Sequence, residues 1–242
     1  MVLIHGVGMD LEMWEPVAGR LRNRRVIRYD LQGHGMSPKP RGPYSLDDYC
    51  AQLLKVANGL SLDRFDLVGF SMGAMVGQAF AAANADRLSK LVLLNGVYDR
   101  SPEESEAIRS RARDVLNGGY AASIEAALDR WFTPEFHKEH PDVVVAARRR
   151  MEQNDLPAYA AAYTVFANGD RELVDAVDGI DVPVLLATGE FDQRSTPSMA
   201  KALAARLPNA EALIIKGQRH MIPLEQPDQL ASLINGFLGG GS

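Results

Sequence analysis

Three residue types able to run acyl transfer occur in this chain at telling positions: a serine, an acid and a histidine. Gly69-Phe70-Ser71-Met72-Gly73 is a G-x-S-x-G stretch preceded by the apolar run Phe65 to Val68, and after it Met72, Met75, Val76, Ala79, Phe80 and Ala83 recur at helical spacing. The change of period at Ser71 predicts a sharp strand-to-helix turn that pushes the hydroxyl out of a sheet. Gly69 and Gly73 carry no side chains where strand and helix must approach closely. The backbone N–H of Met72, at the positive end of the following helix, is then available to an oxyanion.

A serine hydroxyl is a weak nucleophile until a base takes its proton, and the chain holds five histidines. His5 and His34 sit beside glycines, in His5-Gly6 and Gly33-His34-Gly35, where turn roles are expected. His137 and His140 have charged neighbours in a helical stretch. His220, in Gly217-Gln218-Arg219-His220, follows the last strand-like run and is the candidate base. Asp192, in Gly189-Glu190-Phe191-Asp192, follows the strand before it and is the candidate for the carboxylate that orients the base, with Glu190 the nearest competitor and Asp99 a substitute. A second oxyanion donor is expected at Val7, where Gly6 and Gly8 let backbone come close.

These groups need a frame. Strand-like runs at Val2-Leu3-Ile4, Val26 to Tyr29, Phe65 to Val68, Leu91 to Leu94, Val184 to Leu186 and Ala212 to Ile215 alternate with helical patterns at Leu11 to Leu21, Leu46 to Leu60, Met72 to Asn84, Ser198 to Leu207 and Pro227 to Leu238. Such alternation predicts an α/β fold, a mostly parallel sheet with helices on both faces and functional groups at the carboxyl ends of the strands. Between Ser101 and Val177 the alternation stops. Glu103 to Leu116, Ala121 to Phe132, Asp142 to Glu152 and Leu156 to Phe166 are helical, punctuated by Gly118-Gly119, Pro134, Pro141 and Pro157. The expected organisation is a core of residues 1–100 and 178–238, a helical lid of residues 101–177, and a flexible tail of residues 239–242.

Composition narrows the partners. Twenty-six basic and 31 acidic residues give a net charge of −5, which argues against nucleic acid. Arg20-Arg22-Arg24-Arg25 and Arg148-Arg149-Arg150 are expected on solvated faces, the second being the better functional candidate because it lies in the lid. The single cysteine, Cys50, excludes an internal disulfide and fits a reducing, cytoplasmic setting. Apolar runs are strand-sized, so no membrane span is expected.

The five motifs Val2-Leu3-Ile4-His5-Gly6, Asp30-Leu31-Gln32-Gly33-His34-Gly35-Met36-Ser37, Gly69 to Gly73, Gly189 to Asp192 and Gly217 to His220 together resemble the α/β-hydrolase superfamily. The resemblance implies Ser71, Asp192 and His220 as a catalytic triad and the segment around His34 as a structural turn. Gly8-Met9-Asp10 through Met13-Trp14, Arg28-Tyr29-Asp30, Ser71 to Gln78 and Trp131-Phe132-Thr133-Pro134 are similar to 3-oxoadipate enol-lactonases and related ester and lactone hydrolases. The chain departs from them in its general His5-Gly6 turn and in having no strands before Val2, where relatives usually carry two. Val2 to Ile4 is accordingly expected nearer a sheet edge.

These readings predict a serine hydrolase acting on a small-molecule ester or lactone through an acyl-enzyme, with no metal or organic cofactor. Trp14 and Trp131 are expected at the substrate pocket. Phe132, Phe136, Tyr159, Tyr163 and Phe166 either join them or pack lid helices together. Carbon-carbon hydrolysis of a diketone, cofactor-free peroxidation and non-catalytic ligand binding remain the alternatives on this frame.

Overall fold

The computed structural model describes residues 1–239. Six strands form one sheet: β1 (Val2–Ile4), β2 (Ile27–Tyr29), β3 (Phe65–Phe70), β4 (Leu88–Leu94), β5 (Val184–Gly189) and β6 (Ala210–Ile215). Their order is β2-β1-β3-β4-β5-β6, with every neighbouring pair parallel. All six residues of β5 are buried, as a strand covered by helices on both faces requires. The chain steps from β1 outward to β2, then returns to place β3 on the other side of β1. Such a reversal opens a crevice at the carboxyl ends of β1 and β3, where Ile4 pairs with Gly69.

Helices α1 (Glu15–Ala18), α2 (Leu46–Gly59) and α3 (Met72–Ala83) occupy the first half of the chain. Helices α4 (Pro102–Asp114), α5 (Tyr120–Trp131), α6 (Pro134–Glu139), α7 (Pro141–Glu152) and α8 (Leu156–Leu173) follow one another between β4 and β5, and α9 (Pro197–Arg206), α10 (Ile222–Glu225) and α11 (Pro227–Gly239) complete the fold. Their starts are chemically marked. Ser45 with Asp48 and Ser101 with Glu104 form capping boxes on α2 and α4, while Thr133, Asp155 and Thr196 accept N–H groups at the heads of α6, α8 and α9.

Several boundaries differ from the sequence expectation. The stretch Leu11 to Leu21 is a 3-10 turn, Leu11–Trp14, followed by the single turn of α1, because Asp10 caps the first turn and Pro16 has no N–H with which to extend it. Thr133 starts an additional short helix, α6, where Pro134 was expected only to separate two others. Helix α8 continues through Leu173, held by buried Ala167 and Leu173 despite Gly169. Strand β1 is fully buried and lies second from the β2 edge of the sheet, nearer that edge as the sequence leads one to expect. Gly239 closes α11 rather than opening a tail, and residues 240–242 lie outside the described residues.

Two histidines brace the loops beneath the crevice. His5 accepts the N–H of Leu31 at Nε2 (2.9 Å) and bonds the Gly6 carbonyl through Nδ1 (2.8 Å), so the loop after β1 is tied to the loop after β2. The His34 ring packs edge-on against it at 5.1 Å, and both side chains are fully buried. Burial pushes the His5 pKa down to about 4 and that of His34 to about 3. Both are therefore neutral when folded, whereas the unfolded chain gains protons below about pH 6.5. Stability is unaffected by them above that pH and falls below it, by about 2 kcal/mol for each at pH 5. Urea unfolding at pH 7.5 and pH 5 should show the midpoint falling with pH, and replacing His34 by a neutral residue should flatten that dependence.

Candidate active site

Ser71 sits between β3 and α3 with φ 54° and ψ −113°, a strained conformation for a residue with a side chain. Glycine at two flanking positions makes the turn possible: a Cβ on Gly69 would run into the Gly73 carbonyl, and one on Gly73 into the carbonyls of Ile4 and His5. The Ser71 N–H donates to the Leu94 carbonyl of β4 at 2.8 Å, which fastens the turn to the sheet. Loop residues after β1 crowd in from the other side. A Cβ on Gly6 would lie 3.1 Å from that of Ser71, so Val7 and Ser71 are neighbours at the crevice. Met72 is fully buried as the first residue of α3, whose leading N–H groups have no intrahelical acceptors.

Asp192 and His220 come from the loops after β5 and β6. His220 Nδ1 lies 2.6 Å from Asp192 Oδ2. The other carboxylate oxygen accepts the N–H groups of Arg194 and Ser195, both at 3.0 Å. Burial alone would raise the Asp192 pKa, but His220 and these two N–H groups outweigh it and hold the carboxyl below its ordinary value. The competitor Glu190 instead accepts the Gly217 N–H at 2.9 Å, and Asp99 is exposed. His137 bonds the Leu128 carbonyl through Nε2 and His140 packs on Phe136, so neither approaches Ser71's companions.

One cavity joins these groups. Val7, Ser71, Asp192 and His220 line it together with Trp131, Tyr159, Tyr163 and Phe166 from the inserted helices, around a free volume of about 60 Å³. Trp131 stacks over His220 with centroids 6.1 Å apart. Trp14 does not reach this cavity: it is fully buried behind Phe70, ring to ring at 6.4 Å, because the 3-10 turn directs it inward. Phe132 and Phe136 stack on each other at 5.4 Å rather than lining the space.

Arginines were the residues sequence reasoning missed. Arg111, Arg130 and Arg194 line the same cavity, and among the described residues none has a carboxylate partner. Burial, and further the guanidiniums of Arg111 and Arg194, lower the pKa of Arg130. The three are far apart in the chain and left no cluster to notice. The visible cluster, by contrast, is structural: Arg148 pairs with Glu125, and Arg150 with Asp10 and Glu12.

A six-stranded parallel sheet with a serine on a strained turn at its switch point, under inserted helices, defines an α/β hydrolase. The chain belongs to that family: the sequence model of the Alpha/beta hydrolase family matches residues 1–233. The (E)-2-((N-methylformamido)methylene)succinate hydrolase of Acinetobacter baylyi (strain ATCC 33305 / BD413 / ADP1) is 32% identical over 240 residues, covering 98% of this chain and 89% of that one. The solved enol-lactonase from Burkholderia xenovorans LB400 superposes with a TM-score of 0.91 at 32% identity, over 98% of this chain and 90% of that one. A thermophilic esterase from Thermogutta terrifontis, solved with malate bound, superposes with a TM-score of 0.90 at 29% identity, over 98% and 88% of the two chains. The chain is thus an enzyme of the hydrolase class, and no described helix is long and apolar enough to cross a membrane.

The His220 loop hangs from the insertion. His220 and Met221 both donate their N–H to the Trp131 carbonyl (3.1 and 3.0 Å), and Arg219 Nη1 reaches the carbonyls of Asp129 and Phe132 (2.6 and 3.0 Å), a cation at the end of α5. Arg219→Ala should lower kcat for a p-nitrophenyl ester by about 10- to 100-fold through misplacement of the imidazole. Steady-state kinetics beside a melting curve checks this, a loss of kcat without loss of fold being the expected result.

Proposed function

We propose that the protein is a serine hydrolase that opens a small carboxylic ester or lactone carrying a carboxylate of its own. The observation that carries the reading is the 2.6 Å His220–Asp192 pair opening into the same cavity as the strained Ser71. With Nδ1 committed to Asp192, the imidazole keeps Nε2 for the Ser71 proton. The Ser71 oxygen attacks the carbonyl carbon, and the N–H groups of Met72 and Val7 hold the resulting oxyanion. Collapse breaks the bond to the leaving oxygen, which takes the proton from His220; in a lactone it stays tethered to the acyl chain. Water, deprotonated by His220, then attacks the acyl-enzyme, releases the acid and returns the proton to Ser71.

Substrate charge follows from the arginines. Three guanidiniums without a carboxylate partner, one of them substantially desolvated, favour an anionic guest that supplies the missing charge. The net charge of the whole chain is negative, so the attraction is local to the cavity. A succinate derivative in the name of one relative and malate bound to another are compatible with such a guest.

Two measurements test the reading separately. A fluorophosphonate should label the native protein at Ser71 and fail to label Ser71→Ala; an unlabelled native protein would overturn the serine mechanism. For the carboxylate, Arg130→Gln should raise KM for monomethyl glutarate by about 10- to 100-fold, the strength of a charge-assisted hydrogen bond, while leaving methyl butyrate unchanged. Equal effects on both esters would sink the anionic assignment alone.

A further inference from the structure

Asn95 is the residue that the mechanism above does not use and that the fold keeps at evident cost. It follows β4 directly, is fully buried, and takes a left-handed backbone with φ 47°. Its Oδ1 is buried with no hydrogen-bond partner. Burial of an amide, an orphaned carbonyl and a positive φ are each unfavourable. What the side chain gains is on its other face. Nδ2 donates to Asp192 Oδ2 at 2.8 Å, the same oxygen that faces His220, and lies 3.4 Å from Thr188 Oγ1.

That contact completes the carboxylate. Asp192 Oδ1 accepts two backbone N–H groups, and Oδ2 accepts His220 and Asn95, so all four acceptor directions are filled. The Thr188 hydroxyl is itself committed to the Ser195 carbonyl at 2.6 Å, which leaves its oxygen free to accept from Asn95 and fixes the amide orientation. Asn95 also sits where the parts meet: its N–H bonds Ala187 of β5 (2.8 Å), and the carbonyl of the preceding Leu94 holds Ser71.

We propose that Asn95 is a positioning residue for the acid of the site, holding the Asp192 carboxylate in plane for His220 and moderating its pull on the imidazolium. The proposal rests on the reading of Ser71, Asp192 and His220 as the catalytic machinery. Its electrostatic consequence has a sign. The Nδ2–H draws charge from Oδ2; without it, Oδ2 stabilises protonated His220 more strongly, and the base becomes harder to deprotonate.

Position 95 favours asparagine or glycine for backbone reasons alone, and that separates a turn role from a positioning role. Asn95→Gly keeps the left-handed backbone and removes the amide; Asn95→Ala removes the amide and adds strain. In hydrolysis of p-nitrophenyl acetate between pH 4.5 and 9, both variants should lose about 10-fold in kcat with KM within twofold of native. The acid limb of kcat/KM should move to higher pH in both. Asn95→Asp matches the native residue in size and sets a second carboxyl against Asp192, so the buried pair retains a proton that the native site lacks and the acid limb should leave its native position. A folded Asn95→Gly with native kcat and an unmoved acid limb would overturn the proposal. So would a loss confined to Asn95→Ala, and if the glycine variant does not fold, a native limb in Asn95→Asp does the same. Ser71→Ala and His220→Ala in the same assay decide the underlying mechanism independently: turnover surviving in them removes the basis of the proposal, whatever Asn95 does.

Discussion

The approach of α3 to the ends of β1 and β3, close enough that no methyl group fits at Gly69 or Gly73, is the constraint on which the rest depends. It forces Ser71 into a conformation that points its side chain away from the sheet and into the crevice. The same contact brings the loop after β1 against Ser71 and sets α3's first N–H groups beside it. The sheet supplies the other half of the geometry, because parallel strands deliver every following loop to one end. Asp192, His220, Val7 and Ser71 meet there although they come from four separate loops.

The core was legible because its signals are local. An apolar run, a glycine-flanked serine and a helical repeat fit inside the nineteen residues from Phe65 to Ala83, and the constraint they satisfy is steric. Chain order then limited the candidates to set beside Ser71, so Asp192 and His220, which line one cavity with it, could be picked from where strands end. What escaped was decided by tertiary packing. Trp14 and Trp131 have the same side chain and similar local signals, yet one is sealed behind Phe70 and the other stacks on His220. Arg111, Arg130 and Arg194 come from α4, α5 and the loop before α9, and only the folded insertion gathers them. Asn95 carried no signal beyond being an asparagine after a strand.

The site is electrically divided. On the sheet side a single carboxylate is saturated with donors and paired with the imidazole. Arg111 and Arg130 from the insertion, with Arg194 from the loop after β5, turn guanidiniums that have no carboxylate partner among the described residues to the same cavity. In the proposed reaction a guest bridging the two sides meets a nucleophile at one end and fixed positive charge at the other, an arrangement that orients it before any bond forms. Neighbouring arginines repel, so the empty cavity stores electrostatic cost that an anion relieves.

The hydrogen bonds from His220 and Met221 to the Trp131 carbonyl have a consequence for how such enzymes diversify. Asn154 of the insertion likewise bonds the Gly8 carbonyl at 2.9 Å, beside Val7. The insertion is therefore not a detachable module carried by an autonomous core. A chimera that exchanged the whole helical segment for that of a relative would also exchange the supports of two core loops, and would inherit a mismatch in reactivity together with a new pocket. Selection for a different substrate acting on α5 has to retain its final carbonyls in place, which confines tolerated change to side chains and leaves the backbone path of that helix end as fixed as the strands beneath it.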